Sequence, residues 1–298
     1  MTDAHQKRLT FRENLLTGKF MIAPGIYDAL SAKLAQAAGL PCIAMGGYAI
    51  SASRLGQPDV GLLSQYEMRE ALRQIASATD IPVIADADTG YGNALNVIRT
   101  LTEYEQAGAS CVFFEDQLWP KRCGHMEGKQ VIDASEHAQK IRAACEARED
   151  PATVIMARTD ARAVFGLDEA LERGRRYADA GAEILFIEAL RDRGELECAA
   201  RAFEGTGIYL FANMIEGGKT PIIGASELEQ MGFAGVFWSC ASLYLVAKTL
   251  LTNFELLARQ GTSDAFAKDM MPFPDFNRFI GLPRYRELEK RYGAKKIL

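Results

Sequence analysis

Residues 107–116 read Ala107-Gly108-Ala109-Ser110-Cys111-Val112-Phe113-Phe114-Glu115-Asp116. A polar stretch of helical character stops at a glycine, and a short apolar run follows that ends in acid. Glycine takes the left-handed conformation that closes a helix. A short run of β-branched and aromatic residues suits a strand buried on both faces. The same phrase recurs: Ala38-Gly39-Leu40 precedes CIAMG (42–46), Ala180-Gly181-Ala182 precedes ILFIEA (184–189), and Met231-Gly232-Phe233 stands before AGVFWS (234–239).

Collecting every such run gives eight, at 20–24, 42–46, 82–87, 111–115, 153–158, 184–188, 208–212 and 234–238. The segments between them carry helix punctuation. Ser64 followed by Glu67 reads as a capping box, and Asn93, Ser135 and Asp168 read as N-caps of later helices. Eight strand–helix units of about 30 residues each predict an α/β fold, a (β/α)8 barrel of the TIM type. An open doubly wound sheet would want a glycine-rich phosphate turn after an early strand. Gly46-Gly47 is too short for one.

The barrel is expected over residues 1–261. From 262 onward the pattern changes, and DMMPFPDFNRFIGLPRYRELEKRYG (269–293) carries Pro272, Pro274 and Pro283 among aromatics. Phe273, Phe276, Phe279 and Ile280 are too apolar for a loose tail, so the arm 262–298 is expected to pack on the barrel or on a neighbouring subunit.

Composition narrows the function classes. The 298 residues hold 34 Lys plus Arg against 39 Asp plus Glu, a formal charge of −5. That balance argues against a sequence-indifferent nucleic-acid binder and against attraction to an anionic membrane. No run approaches the roughly 18 apolar residues of a spanning helix. The N-terminal MTDAHQKRLTFREN lacks the apolar core of a signal peptide, so a cytoplasmic protein is expected. Six cysteines stand singly with no C-x-x-C pair, which argues against a disulfide framework or a structural zinc site.

In a barrel of this kind the C-terminal ends of the strands converge on the active site. Here they carry Gly46-Gly47, Asp86 and Asp88, Glu115-Asp116, Arg158 and Asp160, Glu188, and Asn213. One polar strand end is commonly a cap for the next helix. Acidic side chains from several strands on one rim repel one another, and a divalent cation is the usual remedy. In Asp86-Ala87-Asp88 alternate strand residues point the same way, so both carboxylates are expected to face the mouth. All-oxygen donors with no His or Cys nearby suggest Mg²⁺, or Mn²⁺, rather than zinc.

A second focus is Lys121-Arg122-Cys123-Gly124-His125 in the long segment after the fourth run. Two cations and a histidine beside one thiol predict a lowered cysteine pKa and a group able to exchange protons near neutral pH. Gly124 and Gly128 would let the loop move. The alternative is a solvated basic loop with an incidental cysteine.

KRCGH, with DADTGYG upstream and ARTD, FIEA and NMIEGGKTP downstream, resembles the isocitrate lyase/phosphoenolpyruvate mutase superfamily from about Pro24 to Pro221. The likeness is greatest to its short members, the 2-methylisocitrate lyase, 2,3-dimethylmalate lyase and petal-death groups. The resemblance implies a (β/α)8 barrel whose last helix is swapped between subunits, usually in a homotetramer. It implies that Asp86, Asp88 and Glu115 hold Mg²⁺, directly or through water. Gly46, Gly47 and Tyr48 would lie at the substrate carboxylate, and Asp59 would sit in a mobile segment near the metal. Arg158, Glu188 and Asn213 would line the pocket. Lys121, Arg122, Gly124 and His125 would form the gating loop around Cys123, the acid/base.

The activity implied is Mg²⁺-dependent cleavage of the C2–C3 bond of a small 2-hydroxy dicarboxylate to an α-keto acid such as pyruvate plus a carboxylic acid. Oxaloacetate hydrolysis or decarboxylation, and a phosphonate or carboxyphosphonoenolpyruvate mutase, are the alternatives on the same fold; Cys123 counts against the mutase. Gly46 stands where the family commonly has serine, which removes one hydroxyl contact. Ile215 stands where methylisocitrate lyases tend to have threonine, which leans away from a tricarboxylate substrate.

Overall fold

Each of the eight apolar runs forms a strand, with limits within two residues of those read from the sequence. The strands are β1 (Met21–Ile26), β2 (Ile43–Met45), β3 (Val83–Asp86), β4 (Cys111–Glu115), β5 (Val154–Thr159), β6 (Ile184–Ile187), β7 (Tyr209–Asn213) and β8 (Gly235–Trp238). The helices of the barrel are α1 (Ala4–Leu16), α2 (Ala29–Ala37), α3 (Gly47–Leu55), α4 (Gln65–Ala78), α5 (Ala94–Ala107), α6 (Ala134–Ala147), α7 (Ala161–Phe165), α8 (Leu167–Asp179), α9 (Arg193–Ala202) and α10 (Ala225–Met231). They are followed by α11 (Ala241–Gln260), α12 (Phe273–Phe279) and α13 (Leu282–Tyr292). The structure, a computed structural model, describes residues 2–293.

All strand pairings are parallel, in the order β1 to β8, and β8 closes back on β1 through pairs such as Met21 with Gly235. The protein is therefore a closed (β/α)8 barrel. The recurring glycine stops do what their position requires. Gly39, Gly108, Gly181 and Gly232 have φ of 81°, 101°, 110° and 104°, so each helix ends in the left-handed conformation that turns the chain into the next strand.

Ser64 and Glu67 form a reciprocal capping box on α4, and Asn93 caps α5. Two other expected caps differ. Asp133, not Ser135, caps α6: its carboxylate accepts the Ser135 N–H at 2.7 Å. Gly166, with φ 99°, precedes α8, which places Asp168 inside the first turn. There its negative charge favours the helix N-terminus without capping it.

The strands bury both faces. Residues facing outward, such as Ile43, Val83, Val112 and Ile155, join the layer under the helices. Those facing inward, such as Met21, Ile84, Met156 and Phe211, fill the barrel. Phe11 and Leu15 of α1 belong to that inner cluster. Lys7 of α1 donates to the Ala76 carbonyl at 2.7 Å, and Arg8 donates to the Ala109 carbonyl at 2.9 Å and to Asp150 at 2.8 Å. Near the other end Phe113, Phe186, Phe211 and Phe237 pack ring against ring at 5.3–6.1 Å between centroids. They make a dry floor beneath the polar strand ends.

The unit that holds the barrel ends at Tyr244 and a second begins at Leu245, inside α11, ahead of the 261/262 boundary expected from composition. The division falls inside α11, which is helical from Ala241 to Gln260. Among the described residues no helix is long and apolar enough to cross a membrane.

Candidate active site

The strand ends and the loops that follow them enclose a cavity of about 50 Å³. Its walls include Gly46, Gly47, Tyr48, Asp59, Asp86, Lys121, Cys123, Gly124, Arg158, Glu188 and Asn213, and Phe113, Phe186 and Phe237 also line it. A chamber of about 380 Å³ shares Tyr48, Cys123, Ile215 and Cys240 with it, and adds His125, Met126, Lys219 and Tyr244.

Asp86 closes β3 and is held from two sides. Its Oδ2 accepts the Gly47 N–H at 2.9 Å and its Oδ1 accepts the Asp88 N–H at 2.9 Å. The Gly47 N–H is thus engaged by Asp86 in this structure. Asp88 does not reach the mouth by strand alternation, because β3 ends at Asp86. It lies in a turn at φ 47°, a conformation aspartate tolerates better than most residues. The Glu115 N–H ties its carbonyl at 2.8 Å. Burial, followed by the like charges of Asp86 and Asp59, pushes the Asp88 carboxyl up to about 7 against the pull of Lys121.

Lys121 reaches in from the loop after β4. Its Nζ lies 2.6 Å from Asp88 Oδ1 and 2.7 Å from Asp59 Oδ1. The Asp59 carbonyl accepts the Cys123 N–H at 3.2 Å, so the 57–59 segment holds the loop by backbone and side chain together. Glu115, at the end of β4, places Oε2 3.3 Å from Arg158 Nη1, while its buried Oε1 has no hydrogen-bond partner. Burial raises its carboxyl well above the usual range, with Arg158 and Lys121 opposing.

These residues suit a hard divalent cation in one respect and are incomplete in another. Asp86, Asp88 and Glu115 offer carboxylate oxygens only, and Glu115 Oε1 is an orphaned buried acceptor. A Cβ on Gly47 would stand 3.0 Å from Lys121 Nζ, 3.2 Å from Asp88 Oδ1 and 3.4 Å from Asp86 Oδ2, so glycine leaves room for the lysine and the two carboxylates. Among the described residues no group of three or more His, Cys, Asp or Glu side chains is placed so as to hold a metal ion by itself. An open, all-oxygen set completed by water is the mode Mg²⁺ uses.

Arg158 is the hub of the opposite wall. Its Nε donates to Asp160 Oδ2 at 2.9 Å, its Nη2 lies 3.3 Å from Glu188 Oε2, and its guanidinium covers the Phe186 ring at 5.1 Å. Glu188 also accepts from Asn213 Nδ2 at 3.1 Å, and Ser239 donates to Asn213 Oδ1 at 2.7 Å. Burial opposes the ionisation of Glu188, yet Arg158 and the His125 hydrogen bond hold its carboxyl down at about 2.

His125 lies between two loops. Its Nδ1 accepts the Lys219 N–H at 2.8 Å, so in the neutral ring Nε2 carries the proton and donates to Glu188 Oε1 at 3.0 Å. It borders the outer chamber and not the inner cavity. Arg122, expected at the substrate, turns away. Gln117 holds its backbone at both N–H and carbonyl, and its guanidinium donates to the Glu127 carbonyl at 3.1 Å.

The Cys123 thiol is the clearest departure from expectation. The sequence predicts that neighbouring cations lower its pKa, but burial raises it to about 11, with Asp59 and Glu188 adding to the rise. Arg122 points elsewhere and Lys121 is neutralised by two carboxylates, so the local sequence overstates the positive charge at the sulfur.

Three features had no signal in the local sequence pattern: Lys129, which bonds Asp160 and the Gly124 carbonyl; Cys240, at the boundary of the two chambers; and Tyr244, whose hydroxyl donates to that of Tyr48 at 3.3 Å.

The phosphoenolpyruvate phosphomutase family profile matches residues 11–257. The chain is 44% identical over 283 residues to 2,3-dimethylmalate lyase of Eubacterium barkeri, covering 95% of this chain and 97% of that one. It is 38% identical to 2-methylisocitrate lyase of Halalkalibacterium halodurans, covering 98% and 96%. Among solved structures, a 2,3-dimethylmalate lyase described as a PEP mutase/isocitrate lyase superfamily member superposes with a TM-score of 0.90 at 34% identity, covering 99% of this chain and 97% of that one.

Proposed function

The chain belongs to the PEP mutase/isocitrate lyase superfamily, and from that membership we propose that it is a carbon–carbon lyase acting on a small 2-hydroxy dicarboxylate. The substrate is of the 2-alkylmalate, 2,3-dimethylmalate or 2-methylisocitrate type. Cleavage between C2 and C3 yields an α-keto acid such as pyruvate and a carboxylic acid. The observation that carries this reading is the Cys123 thiol in the wall of a cavity it shares with Arg158 and Glu188.

Breaking the C2–C3 bond needs a base for the C2 hydroxyl, a counter-charge for the electrons left on C3, and an acid to quench them. Asp59 and Tyr48 both line the cavity and are the side chains assigned to the hydroxyl proton. Arg158 stabilises the charge that develops toward the C3 carboxylate, and Asp160 and Glu188 fix its guanidinium in advance, so no reorganisation is needed as the charge forms. Cys123 then delivers its proton to C3. A thiol held near 11 is a poor nucleophile at neutral pH but is fully protonated, which is the state an acid needs. Asp86, Asp88 and Glu115 would hold Mg²⁺ or Mn²⁺, which when bound supplies Lewis-acid polarisation of the substrate's C2 oxygen and adjacent carboxylate.

Gly46, Gly47, Tyr48, Lys121, Gly124, His125 and Asn213 complete the substrate's surroundings in this reading. Ile215 in the wall offers an alkyl surface in place of a hydroxyl, which favours an alkylmalate over a tricarboxylate. The working assembly is a homotetramer in the cytoplasm with the C-terminal arm exchanged between subunits. The apolar Leu245, Leu251, Phe254 and Phe273, all more than half exposed in one chain, support it.

The test is a panel of 2,3-dimethylmalate, other alkylmalates, 2-methylisocitrate and oxaloacetate assayed with Mg²⁺ for α-keto acid release. Pyruvate from an alkylmalate supports the proposal. Turnover of oxaloacetate alone, to oxalate and acetate, would replace it.

A further inference from the structure

The loop that carries Cys123 is gripped at the residue beside it. Lys129 Nζ donates to the Gly124 carbonyl and, at 2.7 Å, to Asp160 Oδ1; its side chain is 1% exposed. Asp160 also receives the Arg158 guanidinium, from Nε at 2.9 Å and Nη2 at 3.1 Å. Its own N–H donates to Asp116 Oδ1 at 2.9 Å, and Asp116 Oδ2 is held by Tyr177 at 2.8 Å and Arg173 at 3.1 Å. One carboxylate, anchored to β4 and α8, thus supports both the lysine beneath the loop and the arginine of the cavity wall.

Gly124 is confined from the other side as well. A Cβ on it would lie 2.4 Å from Arg158 Nη2 and 2.4 Å from Glu188 Cγ. The peptide therefore sits directly on those two side chains, while its carbonyl is drawn to Lys129.

From this geometry we propose that Lys129 is a positioning residue that clamps the Cys123 loop shut and sets the thiol relative to Arg158. When the loop lifts, the Gly124 carbonyl leaves but the ammonium keeps Asp160 as its counter-ion. At this contact opening breaks one charge-assisted hydrogen bond and leaves the buried ammonium paired. The clamp does not depend on which acid is cleaved. It rests on Cys123 as proton donor only for its effect on turnover.

The test reads loop opening without substrate. Native protein is alkylated with N-ethylmaleimide, and labelling of the Cys123 peptide is followed by mass spectrometry. The Cys198 peptide from α9 in the same digest reports general loosening. Lys129→Met is expected to speed Cys123 labelling by about tenfold or more, the loss of one charge-assisted hydrogen bond, with Cys198 unchanged. In the same variant kcat falls more than KM rises, because an open loop removes the acid and leaves most binding contacts in place. Lys129→Gln, which keeps one donor for the Gly124 carbonyl, regains part of the protection. Wild-type labelling in a folded Lys129→Met overturns the proposal, as does acceleration of both cysteines alike. If Lys129→Met does not fold, hydrogen exchange of the 122–128 amides in Lys129→Gln decides: faster exchange supports the clamp and unchanged exchange overturns it.

Discussion

Lys121 Nζ stands 2.6 Å from Asp88 Oδ1, so a cation from the loop after β4 meets a carboxylate from the turn after β3 inside the cavity wall. The same ammonium serves Asp59, and both partners are less than a tenth exposed. Removing it leaves two buried carboxylates facing each other. Breaking one partner of such a group costs about 3–5 kcal/mol. Lys121→Met is therefore expected to lower the unfolding midpoint of metal-free protein, and Mg²⁺ is expected to raise it more in the variant than in wild type. Thermal unfolding with and without Mg²⁺ measures both, and equal gains would contradict a shared carboxylate set.

A Cys123 thiol near 11 has a kinetic signature. The thiolate is the form that alkylates, so the rate for Cys123 should still be climbing where a thiol of ordinary pKa, about 8.5, has already levelled off. Iodoacetamide labelling of the Cys123 peptide from pH 7 upward gives the profile. A plateau near pH 8 would restore the lowered pKa expected from the loop's charges. Cys123→Ser should reduce turnover by about 10²–10⁴, the usual contribution of a placed acid, with substrate affinity little changed.

Gly124→Ala tests how closely the loop seats. The added methyl meets the Arg158 guanidinium and Glu188 at 2.4 Å, so the loop must stand off its floor. The expected outcome is a fall in kcat of at least about tenfold, since a small misplacement of a reacting group is costly. The unfolding midpoint should move little, because the loop lies outside the strands and helices. Wild-type kcat would show that the closed seat is not used in turnover.

Glu188 links the site to acid stability. Its carboxyl is held at about 2 in the fold against an ordinary 4.5. Between those values the unfolded chain binds more protons than the folded one. The stability this group contributes is therefore complete above the higher value and is lost as pH falls toward the lower. Glu188→Gln removes that contribution, so its unfolding free energy should fall less steeply than wild type below about pH 4.5. Identical acid limbs would mean that Arg158 and His125 do not hold the carboxylate in the way described.

The barrel was legible because its strands are buried on both faces. Such strands appear as short apolar runs bounded by glycine stops, and Gly108 with Cys111–Glu115 shows the pattern in ten residues. Asp86, Glu115 and Asn213 were legible for a related reason, since each ends a strand. Asp88 reaches Lys121 through a left-handed turn and not through strand alternation. What escaped was set by contacts distant in sequence. Arg122 looks cationic toward the thiol until Gln117 and Glu127 turn it away. Lys129 resembles any loop lysine until Asp160, 31 residues on, gives it a buried partner.

The four phenylalanines packed beneath the cavity make it a dead end. Phe113, Phe186, Phe211 and Phe237 are each at most 5% exposed, and their packed rings fill the barrel beneath the polar strand ends. In the proposed reaction one substrate molecule goes in and two smaller product molecules come out on the strand-end side of that floor. The floor thereby leaves a cleavage reaction a single face for everything that enters and leaves.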